Sequence, residues 1–165
     1  MWLEYPFDSE GIGVVEFSSD DLGWDKSARD LVRLKPHLYV GGKPFGLHMT
    51  LHLVRDLLVE GSNNIDVMRI DNWWLIRSGM DWLCDKSGEV VLEPFSMIIP
   101  FPKAGLDGMR SEVVIASLSQ AVFTCGRDGV KWVVSSPSEW TIPADLNSKV
   151  APPPNGRSLA FIVNE

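Results

Sequence analysis

The chain predicts one α+β domain, a mainly antiparallel β-sheet packed against one long helix with short helices beside it. Two observations carry this expectation. Around 46–60 the apolar residues recur at helical spacing, and from residue 65 onward the apolar period switches toward two. The short runs that follow are separated by Gly, Asn, Asp and Ser clusters, as in strands joined by tight turns. At 165 residues the sequence fits a single domain over 1–165, able to bury roughly 70% of its extended-chain surface. Hydrophobic content of 45% with 22% charged residues places it among ordinary globular proteins.

Residues 11–17 read as a short strand, and their Gly-x-Gly lacks the third glycine and preceding strand of a dinucleotide loop. Residues 25–34 fit a short helix with Ala28, Leu31, Val32 and Leu34 on its apolar side. Leu38 to Val40 run into the turn Gly41-Gly42-Lys43-Pro44. In the long helix, Leu47, Leu51, Val54 and Leu58 recur at i, i+4, i+7 and i+11, Leu57 widens the stripe, and Gly61 is the stop. Strands are expected at 65–70, 73–77, 80–84, 90–99, 112–125 with a break near Ser119, and 130–135. Gly126-Arg127-Asp128-Gly129 closes the clearest hairpin. Ser136-Pro137-Ser138-Glu139 looks like a cap opening one helical turn through Trp140. A Pro-rich connector, 151–157, precedes a last strand at 159–163, expected at the sheet edge.

The negative charge is concentrated at the front. Residues 1–30 hold eight acidic and two basic residues, a net of −6, within a total of −7. Trp2, Tyr5, Phe7, Phe17 and Trp24 are interleaved with these carboxylates. Such a segment suits a surface that attracts a cationic partner and anchors it by aromatic contact, and it equally suits a solvated face beside a core. On the first reading the contact residues are Glu16, Asp20, Asp21, Trp24 and Asp25. A net charge of −7 argues against nucleic acid as partner. The first twenty residues carry no basic residue and no apolar run of signal-peptide length, and no stretch approaches a membrane span, so a cytoplasmic protein away from the membrane is expected.

Catalytic signatures are sparse. Cys84 and Cys125 are 41 positions apart in apolar, strand-like settings, where two reduced, buried thiols of raised pKa are expected. His48 and His52 project from one helix face, but His-Met-Thr-Leu-His lacks the glutamate of a zinc protease. With Arg55 and Asp56 beside them, they mark a solvated face, and neither metal nor cofactor is expected. Asp81 and Asp85 flank a turn and are expected in water. The protein is therefore not read as an enzyme.

Seven Trp is high for this length. Trp82 and Trp132 alternate with apolar residues and are expected in the core. Adjacent side chains on a strand point to opposite faces, so Trp73 and Trp74 make both faces apolar. Either helix and loop cover both sides, or one indole is left for a partner, and Trp74 is the anchor on the second reading. The pattern Trp73-Trp74-x-Ile76-x-Ser78-x-x-Asp81-Trp82-Leu83 resembles segments of small bacterial immunity proteins, which are encoded beside polymorphic or contact-dependent toxins. Met109-Arg110-Ser111-Glu112-Val113-Val114, then Gly126-x-x-Gly129 and Trp132, extend the likeness over residues 73–132. The resemblance implies a protein that binds its cognate toxin and occludes the active site, and it carries no binding residues over. A toxin acting in the cytoplasm on phosphates presents a basic cleft that acidic side chains can fill. The alternatives are a small-molecule enzyme using His48 and His52, which requires a polar pocket beside the helix, and a non-catalytic adaptor or chaperone of a secreted effector.

Overall fold

Sequence alternation downstream of residue 65 becomes one antiparallel sheet in the computed structural model, which describes residues 26–41, 43, 45–101 and 108–164. Its strands are β1 (Ile65–Ile70), β2 (Trp73–Ser78), β3 (Ala121–Gly126), β4 (Gly129–Val134) and β5 (Arg157–Ile162). They are ordered β1-β2-β5-β3-β4, with every neighbouring pair antiparallel. The helices are α1 (Ala28–Leu34), α2 (His37–Val40), α3 (Phe45–Glu60), α4 (Glu112–Leu118) and α5 (Ala144–Lys149). The α+β class expected from sequence is the one observed. The strand expected at 11–17 lies outside the described residues.

Both sheet faces are covered. Ile76, Val122, Leu159 and Phe161 on one face join Val32, Leu53, Leu57 and Val113–Ala116 of α1, α3 and α4 in the larger core. On the other face Trp73, Leu75, Phe123 and Ala160 pack with Leu146 and Val150 at α5. β5 lies in the middle of the sheet, so its expected edge position is corrected. Every residue of Arg157–Ile162 is buried. The unbroken run Leu159-Ala160-Phe161-Ile162-Val163 is the pattern of a strand covered on both sides.

α3 has nearly the expected ends, with Gly61 at φ 105° closing it, but the opposite phase. Met49, Thr50, Leu53, Asp56 and Leu57 face inward, whereas Leu47, Leu51 and Leu58 of the predicted core stripe are exposed. A carboxylate can sit inside because its partners meet it there. Asp56 accepts hydrogen bonds from the Ser111 backbone N–H at 3.1 Å and from the Ser111 hydroxyl, while Arg55 donates to its other oxygen at 2.8 Å.

Three strand expectations need correction. Residues 112–118 form α4, ending at Ser119 where the break was expected. A short apolar run carries no period that separates a fully buried helix from a buried strand, and Val113-Val114-Ile115 biases the reading toward strand. Residues 80–84 and 90–99 are loop, joined by the single bridge Cys84–Val90 and containing one 3₁₀ turn, Glu93–Phe95. In α1 the capping box between Ser27 and Asp30 fixes the start, yet only Val32 is buried and Leu31 and Leu34 face out. Helix α5, with the lone buried Leu146, carries too short an apolar pattern to stand out in the sequence.

Candidate functional site

Alternation along β2 sends its two indoles to opposite faces. Trp73 is buried, 5.5 Å from the Phe123 ring and edge-on to Trp140 at 6.0 Å. Trp74, opposite Arg69 in the β1 register, is half-buried on the α3 side. The Arg69 guanidinium lies 5.2 Å from the centre of its ring. Arg69, Asn72, Trp74, Val163 and Asn164 border a depression of about 260 Å³. β1 is the outer strand here, and Val67, on the same face and opposite Ile76, is exposed. Of the six partner-contact residues expected from sequence, Trp74 is described and occupies an accessible position. Glu16, Asp20, Asp21, Trp24 and Asp25 lie outside the described residues.

His48 and His52 share one side of α3, both half-buried. The Nδ1 of His48 is buried and hydrogen-bonds to none of the described residues. His52, with Tyr39, Met49, Arg55 and Ser111, lines a second depression of about 310 Å³ between α2, α3 and the start of α4. Burial, then the positive Arg55 nearby, pushes the His52 pKa below its ordinary value. The expected solvated face is corrected at Asp56, which is buried and fully engaged with Arg55 and Ser111. Among the described residues, no group of three or more His, Cys, Asp or Glu is placed to hold a metal ion.

A third cluster escapes the sequence reading. Arg157 opens β5 with a side chain that has no exposed surface. Its Nε and Nη2 donate to the two carboxylate oxygens of Asp81 at 2.6 and 3.0 Å, and Nη2 also donates to Asp128 at 2.7 Å. Its Nη1 donates to the Thr124 hydroxyl at 3.2 Å. Asp81 is thus held in an ion pair rather than in water, whereas Asp85 is exposed as expected and accepts from the Ser87 and Glu89 N–H groups in its turn. Gly126 makes room for the guanidinium, since a Cβ there would lie 2.5 Å from Nη2. Cys84 and Cys125 are free thiols, half-buried rather than fully buried, and Cys84 sits at a bridge rather than in a strand. Burial pushes both thiols up, with Asp81 adding to the effect at Cys84 and Arg157 opposing it at both. The same basic residue, Arg157, therefore acts on both sulfurs, although it is remote from each in sequence.

No family model and no curated protein matches the chain.

Chemically the three clusters differ. The Arg157 guanidinium is consumed by its carboxylates, so it fixes structure. The depression at His52 offers one imidazole of lowered basicity beside a guanidinium already engaged by Asp56. The Trp74–Arg69 depression offers a flat aromatic surface beside β1, the outer strand among the described residues, which suits a protein partner. No helix among the described residues is long and apolar enough to cross a membrane.

Proposed function

We propose that this chain is a cytoplasmic immunity protein that binds a cognate bacterial toxin and blocks its active site. The observation that carries the reading is Trp74, half-buried on β2 with the Arg69 guanidinium of the neighbouring outer strand over its ring. Trp and Arg set in a depression are the side chains that dominate protein–protein binding energy. The acidic segment, through Glu16, Asp20, Asp21, Trp24 and Asp25, steers a basic toxin cleft toward this anchor. The test is co-expression with the product of the directly upstream gene, scoring growth and one-to-one complex formation. Rescue of growth by the wild type, weakened at least tenfold in binding by Trp74→Ala, is expected. Asp20→Lys with Asp21→Lys is expected to slow association and flatten its salt dependence. A toxic neighbour that neither binds this protein nor loses its toxicity overturns the reading.

One observation favours a second reading, a small-molecule enzyme, because a depression with polar lining does adjoin α3 at His52. The two readings separate on His52→Gln, which abolishes turnover of a substrate found by screening and leaves toxin binding unchanged.

A further inference from the structure

In the depression between α2, α3 and the start of α4, Val40, Met49 and Val114 are buried and form an apolar inner lining. Leu38 borders the same depression and is 67% exposed, an apolar side chain standing in water at its rim. Tyr39, His52, Arg55 and Ser111 bring polar groups to it. Its volume of about 310 Å³ falls at the lower end of the range for small-molecule sites. We propose that it binds a small monocarboxylate with an apolar body, the carboxylate meeting Arg55 and His52 and the body lying among Leu38, Met49 and Met109. The inference rests on the depression of the second reading and supplies its ligand class, but it requires binding only, not turnover.

Charge and hydrogen-bonding capacity select this ligand. Arg55 is the one residue with a full charge at neutral pH among the described residues that line the depression. Its Nε and Nη2 both donate to Asp56, at 3.1 and 2.8 Å, which leaves Nη1 outside that pair on a side chain 49% exposed. Ser111 spends its N–H and its hydroxyl on the other oxygen of Asp56, so it has no donor left for an incoming acid. His52, kept neutral by burial and by Arg55, offers one N–H. Arg55 acts on that imidazole more strongly than Asp56 does, so the field at His52 is positive on balance. A cation is disfavoured there. A dianion such as a phosphate monoester would meet one guanidinium already shared with a carboxylate. One carboxylate matches the two donors available, with an oxygen for each. A bare acid such as acetate would leave the apolar lining uncovered, whereas Met49 and Met109 adapt their shape to a ring or a branched chain.

The experiment titrates the full chain at pH 7.5 with 3-phenylpropionate, followed by ¹H–¹⁵N NMR. The amide and the amine of the same skeleton, and acetate, serve as comparisons. Saturable binding of the acid with a Kd on the order of 1 mM is expected, with shifts centred on Tyr39, Met49, His52 and Ser111. The amide is expected to bind at least fivefold more weakly, and the amine and acetate not at all. Arg55→Gln is expected to bring acid and amide within twofold of each other while preserving the affinity for the amide. Leu38→Asp, at an exposed position, is expected to weaken the acid at least fivefold with an unchanged circular dichroism, and it tests the site even where Arg55→Gln does not fold. Amide or amine binding as tight as the acid, shifts that map elsewhere, or no saturation by 20 mM would overturn the proposal. Binding of the acid without turnover of any screened substrate supports the ligand class and removes the enzyme. Turnover lost in His52→Gln yet indifferent to 3-phenylpropionate keeps the enzyme and overturns the ligand class.

Discussion

Arg157 and Asp81 meet through two parallel hydrogen bonds across 76 positions of sequence, Nε to Oδ1 at 2.6 Å and Nη2 to Oδ2 at 3.0 Å. A guanidinium removed from water costs several kcal/mol unless carboxylates and hydrogen-bond acceptors meet it. Here Asp81, Asp128 and Thr124 do so, joining the start of β5 to the β3–β4 turn and to the loop after β2. That loop has almost no strand pairing of its own. The clamp at Asp81 adds to the hydrogen bonds from Arg110 to the Trp82 carbonyl and from the Val91 N–H to the Leu83 carbonyl in holding Trp82 and Leu83 at the core.

Arg157→Met is accordingly expected to destabilise the fold by about 3–5 kcal/mol at pH 7, nearer the lower figure because the carboxylates keep some contact with water. Urea unfolding reads this directly, and a loss below about 1 kcal/mol would show that the clamp is incidental. The pH dependence follows from Asp128. Burial raises its pKa, but the hydrogen bond and charge of Arg157, with a backbone hydrogen bond and Lys131, together hold it below the ordinary value. Its folded pKa is therefore lower than its unfolded one. The stability it contributes is present above the ordinary carboxylate pKa of about 3.9 and disappears as pH falls through the folded value. In Arg157→Met this part of the acid sensitivity is expected to shrink.

Gly156→Ala tests the close approach that sets β5 beside β2. A Cβ at Gly156 would lie 2.0 Å from the Ser78 carbonyl oxygen, a backbone atom that no rotamer change can move. A loss of about 2–3 kcal/mol is expected, as for other forced overpacking. A thermal midpoint within 1 °C of wild type, which corresponds to a few tenths of a kcal/mol at most, would be incompatible with this contact.

His52 provides a second pH signature, in a different window. Burial and Arg55 lower its pKa, so the folded state favours neutral imidazole. Between the folded pKa and the ordinary value of about 6.5 the unfolded chain binds more protons, and stability rises with pH. The contribution is complete above about 6.5 and is lost as pH falls through the folded value. His52→Gln is expected to flatten the stability profile between about pH 7 and 5. An NMR titration placing His52 at or above 6.5 would contradict the packing described for α3.

Elements announced by local chemistry are legible in the sequence. β1, the Gly126–Gly129 hairpin and the ends of α3 follow from alternation, turn residues and Gly61. What fails is what tertiary partners decide. The phase of α3 turns on Asp56, whose inward position depends on Ser111, 55 residues away. The helix at 112–118 is buried from Glu112 through Ser117, so no apolar period betrays it. The opposite facing of Trp73 and Trp74 is legible because adjacent side chains on a strand must diverge, while the Arg157 clamp is not, because its carboxylates are remote in sequence. One signal for the clamp was present. An arginine two positions before the apolar run Leu159–Val163 belongs to a buried strand and must find its counter-charges inside.

The two neighbouring indoles give the sharpest contrast. Trp73 fills the core between Phe123 and Trp140, and Trp73→Ala is expected to cost about 3–5 kcal/mol through lost contacts and the cavity left behind. Trp74 keeps one side toward solvent, so Trp74→Ala is expected to cost less than half as much, about 1–2 kcal/mol including the lost Arg69 stacking. Binding should rank them the other way. In the refolded fraction of each variant, Trp74→Ala is expected to weaken association with the proposed toxin partner at least tenfold, whereas Trp73→Ala, at a ring packed with α5, is expected to leave the affinity of the folded molecules close to wild type. Parallel urea titrations and binding isotherms separate the two effects. A Trp74→Ala protein that binds normally would remove Trp74 from the proposed interface.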